Sequence, residues 1–317
     1  MRPRVVMLLA FVIAAVAVGF TGARFTLLPS APPAVHGSLP TNLASYLGVF
    51  EDDSPPGYQP IAQFAQTAGR EPNLVGYYSG WAEPFQTSYA DMIRKHGVIP
   101  FVQIDPTLAS VADIATGAYD IYLRTYADAV RNFGHPVVIG FGHEMNANWY
   151  SWGYTNVPAS TFVAAWKHIV TLFRTQGADN VTWLWTLQAD ERGKTGPVED
   201  WWPGNNYVNW VGIDGYYYRP SDTFTKVFGE TIDQVRQFTD KPVLLSETAV
   251  GPKAGQALKI PNLFAGIRNY RTLGLVWFDK DQDDGVLHQD WRIEGDPAAE
   301  FAFRLGVKDT LTAGSKS

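Results

Sequence analysis

Apolar residues gather along the chain in short, nearly continuous runs, at 46–50, 74–78, 98–104, 137–141, 181–187, 208–216, 242–246 and 275–278. Runs of this length with no polar alternate face suit parallel strands covered on both sides. The stretches between them follow a different period. Phe162, Ala165, Trp166, Ile169, Val170 and Phe173 fall at i, i+3, i+4, i+7, i+8 and i+11, which is one apolar stripe of a helix. Tyr119, Tyr122, Tyr126, Ala129, Val130 and Phe133 make a second stripe. Eight strand candidates alternating with helical stretches predict an α/β fold closed as a (β/α)8 TIM barrel. An open doubly wound sheet is the competing architecture, but no Gly-rich phosphate loop opens the first helix to support it.

The first residues break this rhythm. Arg2 and Arg4 precede an uncharged apolar run over 5–20, with small residues at Thr21, Gly22 and Ala23. That is the pattern of an export signal, or of a membrane anchor if it is not cut, although the run is short for a full span of roughly 20 residues. Pro29, Pro32, Pro33 and Pro40 mark a linker. The expected organisation is therefore a signal peptide or anchor over 1–23 and a Pro-rich linker over 24–41. The barrel follows over 42–308, then a flexible tail over 309–317. The expected location is extracytoplasmic: secreted, or tethered to a membrane through 5–20.

Composition narrows the chemistry. The chain has 317 residues, 46% of them hydrophobic and 18% charged, which suits a large folded core. With a net charge of −6 it has no broad basic surface for phosphates, so nucleic acid is not an expected partner. The absence of cysteine removes disulfides, thiolate nucleophiles and thiolate metal sites together. Aromatic residues reach 14%, with 11 Trp and 15 Tyr. A core accounts for part of them, and stacking floors for sugars would account for the rest.

Acidic residues fall just past the strand candidates: Glu51, Asp52, Asp53, Asp105, Glu144, Asp190, Glu191, Asp214, Glu247 and Asp279. In a barrel these positions ring the C-terminal mouth, where active sites lie. A helix-capping role competes with a functional one for Asp52, Asp53, Asp105 and Glu191. Two acids stand in richer contexts. Glu144 ends the fourth run in Gly140-Phe141-Gly142-His143-Glu144-Met145-Asn146, ahead of Trp149, Tyr150 and Trp152. Glu247 ends the seventh in Val243-Leu244-Leu245-Ser246-Glu247-Thr248. Hydrolysis of a glycosidic bond needs one acid to protonate the leaving oxygen and a second carboxylate to attack C1 or activate water. A zinc helix is excluded, because His-Glu-x-x-His requires a histidine where Ala147 stands.

With these motifs the chain resembles glycoside hydrolase family 26, the β-mannanase family of retaining (β/α)8 glycosidases with catalytic Glu on strands four and seven. The likeness runs over about 45–306. It rests on His143-Glu144-Met145-Asn146 with Trp149, Asp200-Trp201-Trp202-Pro203-Gly204, Val211-Gly212-Ile213-Asp214-Gly215-Tyr216, Ser246-Glu247-Thr248, Val276-Trp277-Phe278 and Asp290-Trp291-Arg292-Ile293. The resemblance implies Glu144 as acid/base and Glu247 as nucleophile. It implies His143 beside the sugar hydroxyls, Tyr216 hydrogen-bonded to the nucleophile, Trp277 as the platform under the sugar, and Trp149 as an aromatic wall. Trp81 joins them as a candidate substrate-binding residue. No cofactor or metal is implied, and the expected species is a monomer acting on a polysaccharide or oligosaccharide. A retaining pair implies carboxyls about 5–5.5 Å apart.

The sequence also departs from the family. Many members carry Arg where Gly140 stands and Gly where Ala147 stands, and Trp185-Thr186-Leu187-Gln188 lacks the Pro-Asn often found after strand five. These positions bear on which polysaccharide is cleaved: β-mannan first, mixed-linkage β-glucan or xylan next. Asp279, Asp281, Asp283 and Asp290 echo a calcium loop, but Asp284 occupies the position that needs Gly, so the stretch reads as a solvated acidic loop on the cleft rim. An exo-enzyme or transglycosylase would use the same two acids. A carbohydrate-binding protein on a decayed barrel would need neither, and both are present.

Overall fold

A computed structural model describes residues 38–51, 57–189, 197–282 and 288–311. The apolar runs become β1 Tyr46–Glu51, β2 Leu74–Gly80, β3 Ile99–Asp105, β4 Val137–Phe141, β5 Val181–Gln188, β6 Trp210–Tyr217, β7 Val243–Val250 and β8 Gly274–Asp279. They close in sequence order into one parallel barrel, with β1 hydrogen-bonded to β8. The helical stretches become α1 Gln59–Ala68, α2 Thr87–Arg94, α3 Val111–Ala115, α4 Asp120–Phe133, α5 Ala159–Thr175, α6 Glu230–Val235, α7 Gln256–Asn269 and α8 Pro297–Thr310. Between β5 and β6 the described residues form only a 3₁₀ turn, Val198–Trp201, because Pro203 and Gly204 follow at once. After β8, Asp281–Gln282 and Gln289–Asp290 pair antiparallel as β9 and β10.

Every strand is buried along nearly its whole length, which explains the missing polar alternation. Alternation survives as a division between two apolar layers. Phe50 meets Phe101 at 5.4 Å and Phe278 at 6.2 Å, so these strand positions fill the barrel. The neighbouring positions point to the helices: Trp277 packs edge-on against Phe303 of α8 at 5.0 Å, and Trp183 against Phe173 of α5 at 5.2 Å. α8 starts where the Asp296 carboxylate accepts the N–H groups of Ala298 and Ala299, with Pro297 at the first turn.

The ends of the fold differ from the sequence-based boundaries. Leu39 is buried and its N–H donates to Thr182 Oγ1 at 2.8 Å, while Pro40 accepts the Tyr46 phenol at 2.7 Å. The barrel domain therefore takes in the last linker residues, before Asn42, because they stop the N-terminal end of the barrel. At the other end, residues 309 and 310 belong to α8 and Leu311 is buried, its carbonyl accepting from Arg70 at 3.0 Å. The folded domain therefore runs past 308, through Leu311. The apolar leader, the linker through residue 37, Asp52, Asp53, Asp190, Glu191, Asp283, Asp284 and residues 312–317 lie outside the described residues.

Candidate active site

Glu144 and Glu247 reach the mouth by two backbone irregularities. Beyond β4 the chain turns through positive φ at Gly142 and at Glu144, both 53°. A non-glycine residue there is strained, and the surroundings must hold it. They do: the Glu144 N–H donates to Thr186 O at 3.0 Å, Asn146 bonds both the N–H and the carbonyl of Gln188, and the Trp152 indole donates to His143 O at 2.8 Å. In β7 the irregularity is a bulge. Gly212 pairs with Leu244 but Asp214 pairs with Glu247, so β7 carries one extra residue, and its pairing with β8 slips the same way. Consecutive Ser246 and Glu247 consequently both meet inward-facing groups, which strict alternation forbids. Ser246 Oγ donates to Asp214 Oδ1 at 2.5 Å, and Glu247 meets two tyrosines.

Those tyrosines come from opposite sides of the barrel. Tyr216 of β6 donates to Glu247 Oε2 at 2.6 Å, and Tyr78 of β2 donates to Oε1 in a very short bond. Burial first, and the charge of Glu247 second, push both phenols well above the ordinary tyrosine range, so they remain O–H donors. Glu144 has a different setting. Burial and the charge of Glu247 outweigh the imidazole of His143 and the Trp149 indole N–H, which donates to Oε2 at 2.9 Å, and its carboxyl is pushed up to about 7. Asp214 is driven well above the usual carboxylate range by burial and by the charges of Glu247 and Glu144. A carboxylic acid that stays protonated near neutrality, beside a second carboxylate anchored at both oxygens, can cleave an acetal by acid catalysis and nucleophilic attack.

His143, next to Glu144 in the chain, is buried. Its Nδ1 is 2.8 Å from Asp105 Oδ1 and its Nε2 is 3.0 Å from the Tyr150 hydroxyl. Burial would lower it, but the charge and hydrogen bond of Asp105, with Glu144 and Glu247, raise it to about 10. Both ring nitrogens are thus used within the protein. Tyr150 itself stacks on Trp152 at 4.3 Å.

The remaining aromatic candidates separate. Trp149 is 58% exposed and its indole N–H donates to Glu144 Oε2. Trp277 is fully buried on α8 and its Nε1 donates to Trp291 O at 3.1 Å, so it is no sugar platform. The inward position of β8 is Phe278, which meets Tyr216 at 5.6 Å. Trp81 packs on Tyr119, Tyr122 and Phe141, on the helix side of the wall, and none of its described contacts joins it to either acid. Trp291 backs Tyr216 at 5.1 Å and is held by Gln282 Oε1 at 3.0 Å. The expected solvated acidic loop is mixed where described, with Asp281 exposed and Asp279 buried. Asp279 is buried and accepts the Ile293 N–H, while Asp281 and Asp290 both pair with Arg292.

Known proteins bear on this arrangement. Residues 107–289, more than half of the chain, match the sequence profile of glycosyl hydrolase family 26. The chain is 28% identical over 268 residues to Endoglucanase H of Acetivibrio thermocellus, covering 80% of this chain and 29% of that one. It is 33% identical over 98 residues to a mannan endo-1,4-beta-mannosidase of Bacillus subtilis, covering 29% of this chain and 26% of the relative. The chain thus spans under a third of the length of these two curated relatives. The solved structure of Bacillus subtilis mannanase man26 superposes with a TM-score of 0.64 at 20% identity, over 87% of this chain and 88% of that one. Through the profile match, and with the barrel that the solved structure shares, the chain belongs to glycosyl hydrolase family 26.

Proposed function

We propose that the chain is a retaining glycoside hydrolase that cuts a β-linked polysaccharide by double displacement. The observation that carries this reading is the contrast between the two acids: Glu144 is pushed up to about 7, whereas Glu247 is bonded by a phenol at each oxygen. In the first step a Glu247 oxygen attacks C1 and the bond to the leaving oxygen breaks, that oxygen taking the proton of Glu144. In the second, water attacks C1 as Glu144 removes its proton, and the electron pair of the ester bond returns to Glu247. Apolar and aromatic walls keep Glu144 protonated for the first step, and Trp149 lines the leaving-group side. His143, bonded to Asp105 and Tyr150, acts through them as a positioning residue.

A β-1,4-mannan is the substrate this reading favours, supported by the relatives that are mannan endo-1,4-beta-mannosidases. A β-glucan is the second reading, because the match covering 80% of the chain is to a protein named an endoglucanase. Gly140, Ala147 and the stretch ending at Gln188 depart from the mannanase pattern. The leader supports an exported enzyme, secreted or tethered to a membrane. Hydrolysis of β-mannan, lichenan, xylan and laminarin with product sizing tests the reading. Short oligomers from mannan support it, products from lichenan alone move the substrate to β-glucan, and no cleavage of any of the four removes the hydrolase assignment.

A further inference from the structure

We infer that Tyr78 is a second catalytic phenol, whose hydrogen bond to Glu247 drives the release of the sugar from the enzyme. The inference rests on the proposed role of Glu247 as nucleophile. Its ground is geometric: Tyr78 lies in the second half of β2, 169 residues from Glu247, yet its hydroxyl bonds Oε1 while Tyr216 bonds Oε2. Nothing in the packing of Tyr78 requires that hydroxyl. Its ring stacks on Phe50 at 5.1 Å, and a phenylalanine would pack there equally well.

The surroundings make Tyr78 a strong donor. The Lys280 ammonium lies 5.6 Å from the centre of its ring, and the His143 ring is 5.4 Å away. A cation against a phenol ring withdraws electron density and strengthens the O–H as a donor. At Gly140, where many family members carry Arg, a side chain would overlap Gln103 Oε1 at 1.9 Å, and Gln103 is turned to Thr186 Oγ1 instead.

The consequence differs between the two steps. A hydrogen bond to Oε1 is strongest when the carboxylate carries its full charge and weaker when it is esterified to C1. It therefore makes Glu247 a better leaving group in the second step and a slightly poorer nucleophile in the first. Without it, water still attacks C1 and Glu144 still takes its proton, but the pair returning from the C1–O bond finds one donor fewer.

Tyr78→Phe should slow the second step about 10- to 100-fold, the range of a hydrogen bond to a charged group. The probes are the dinitrophenyl β-glycosides of mannobiose and cellobiose, whose leaving group makes the second step limiting. In the variant kcat and KM should fall together, a burst of dinitrophenol should precede the steady state, and mass spectrometry should find glycosyl-enzyme accumulated. Lys280→Met should shift the same quantities in the same direction by about 2- to 5-fold, and it keeps the phenol in place. A purely structural role would lower the amount of active enzyme without accumulating the intermediate. Wild-type enzyme treated with the matching 2-deoxy-2-fluoro glycosides separates the two levels. If the label sits on Glu247 while Tyr78→Phe keeps wild-type kcat, KM and burst, the role of Tyr78 is overturned alone. If no label reaches Glu247, or the wild type turns over neither aryl glycoside, the nucleophile assignment and this inference are overturned together.

Discussion

Two groups of buried acids sit at the C-terminal ends of the strands, one inside the mouth and one in the wall. Inside are Glu144, Asp214 and Glu247; in the wall, Asp279 lies against Glu294 and Glu51. Burial raises Asp214 and Asp279 alike, each well above the usual carboxylate range. The groups differ in their partners. Tyr78, Tyr216 and Trp149 donate into the mouth, and a half-exposed indole opens it to solvent. In the wall Asp279 accepts the Ile293 N–H and is raised by its neighbours Glu294 and Glu51. A raised acid therefore does not mark a site by itself; donors arranged to manage a changing charge, within reach of a ligand, do. One strand step separates the groups. Phe50 and Phe278 turn into the barrel, while Glu51 and Asp279, one residue later, turn out of it.

The comparison breaks most visibly at Glu247. Glu247→Ala should lower hydrolysis of the polysaccharide at least ~10⁴-fold, as measured by reducing ends, since no group remains to attack C1. Glu144→Ala should cost ~10²- to 10⁴-fold on polymer and much less on dinitrophenyl glycosides, whose departure needs little protonation. The contrast between the two substrates is the readout.

Acidity sharpens it further. Because Glu144 must be protonated and is held at about 7, kcat/KM should fall tenfold per pH unit above about pH 7. The Trp149 N–H favours the ionised carboxyl, so Trp149→Phe should move this falling limb to higher pH, by on the order of half a unit to one unit. A limb that moved to lower pH would contradict the assignment of Glu144 as the acid.

The smallest effect belongs to the wall. An acid raised above its unfolded value near 3.9 costs nothing below that pH and destabilises the fold increasingly as pH climbs toward the raised value. Asp279→Asn keeps the shape and removes the charge. Its Tm should exceed wild type by about 2–4 °C at pH 8 and match it at pH 4, with unchanged activity.

Much of this was legible in the sequence, and the exceptions have physical causes. The strands could be read because runs buried on both faces have no polar alternate, and all eight runs became barrel strands. Which residue of a run faces inward was not legible, for the same reason. Val276-Trp277-Phe278 offers apolar side chains to both layers, and the platform was assigned to Trp277 when the inward residue is Phe278. The bulge of β7 has no sequence signature, so simple alternation would turn either Ser246 or Glu247 away from the mouth. Tyr78 had no local signal beyond its place at the end of the run 74–78, since its partner lies 169 residues away. Leu39 looked like linker because one apolar residue among prolines carries no periodicity, and only the closed barrel supplies the surface it covers.

The central claim is that Glu247 attacks C1 while Glu144 handles the proton. Azide added to each alanine variant, with the product anomer read by nuclear magnetic resonance, tests it most directly. The account predicts that Glu247→Ala regains turnover and yields the α-glycosyl azide, because the small anion enters from the vacated side. Glu144→Ala should yield the β-azide, formed on the covalent intermediate. The α-azide from Glu144→Ala, or wild-type rates on polymer in both variants without azide, would contradict it.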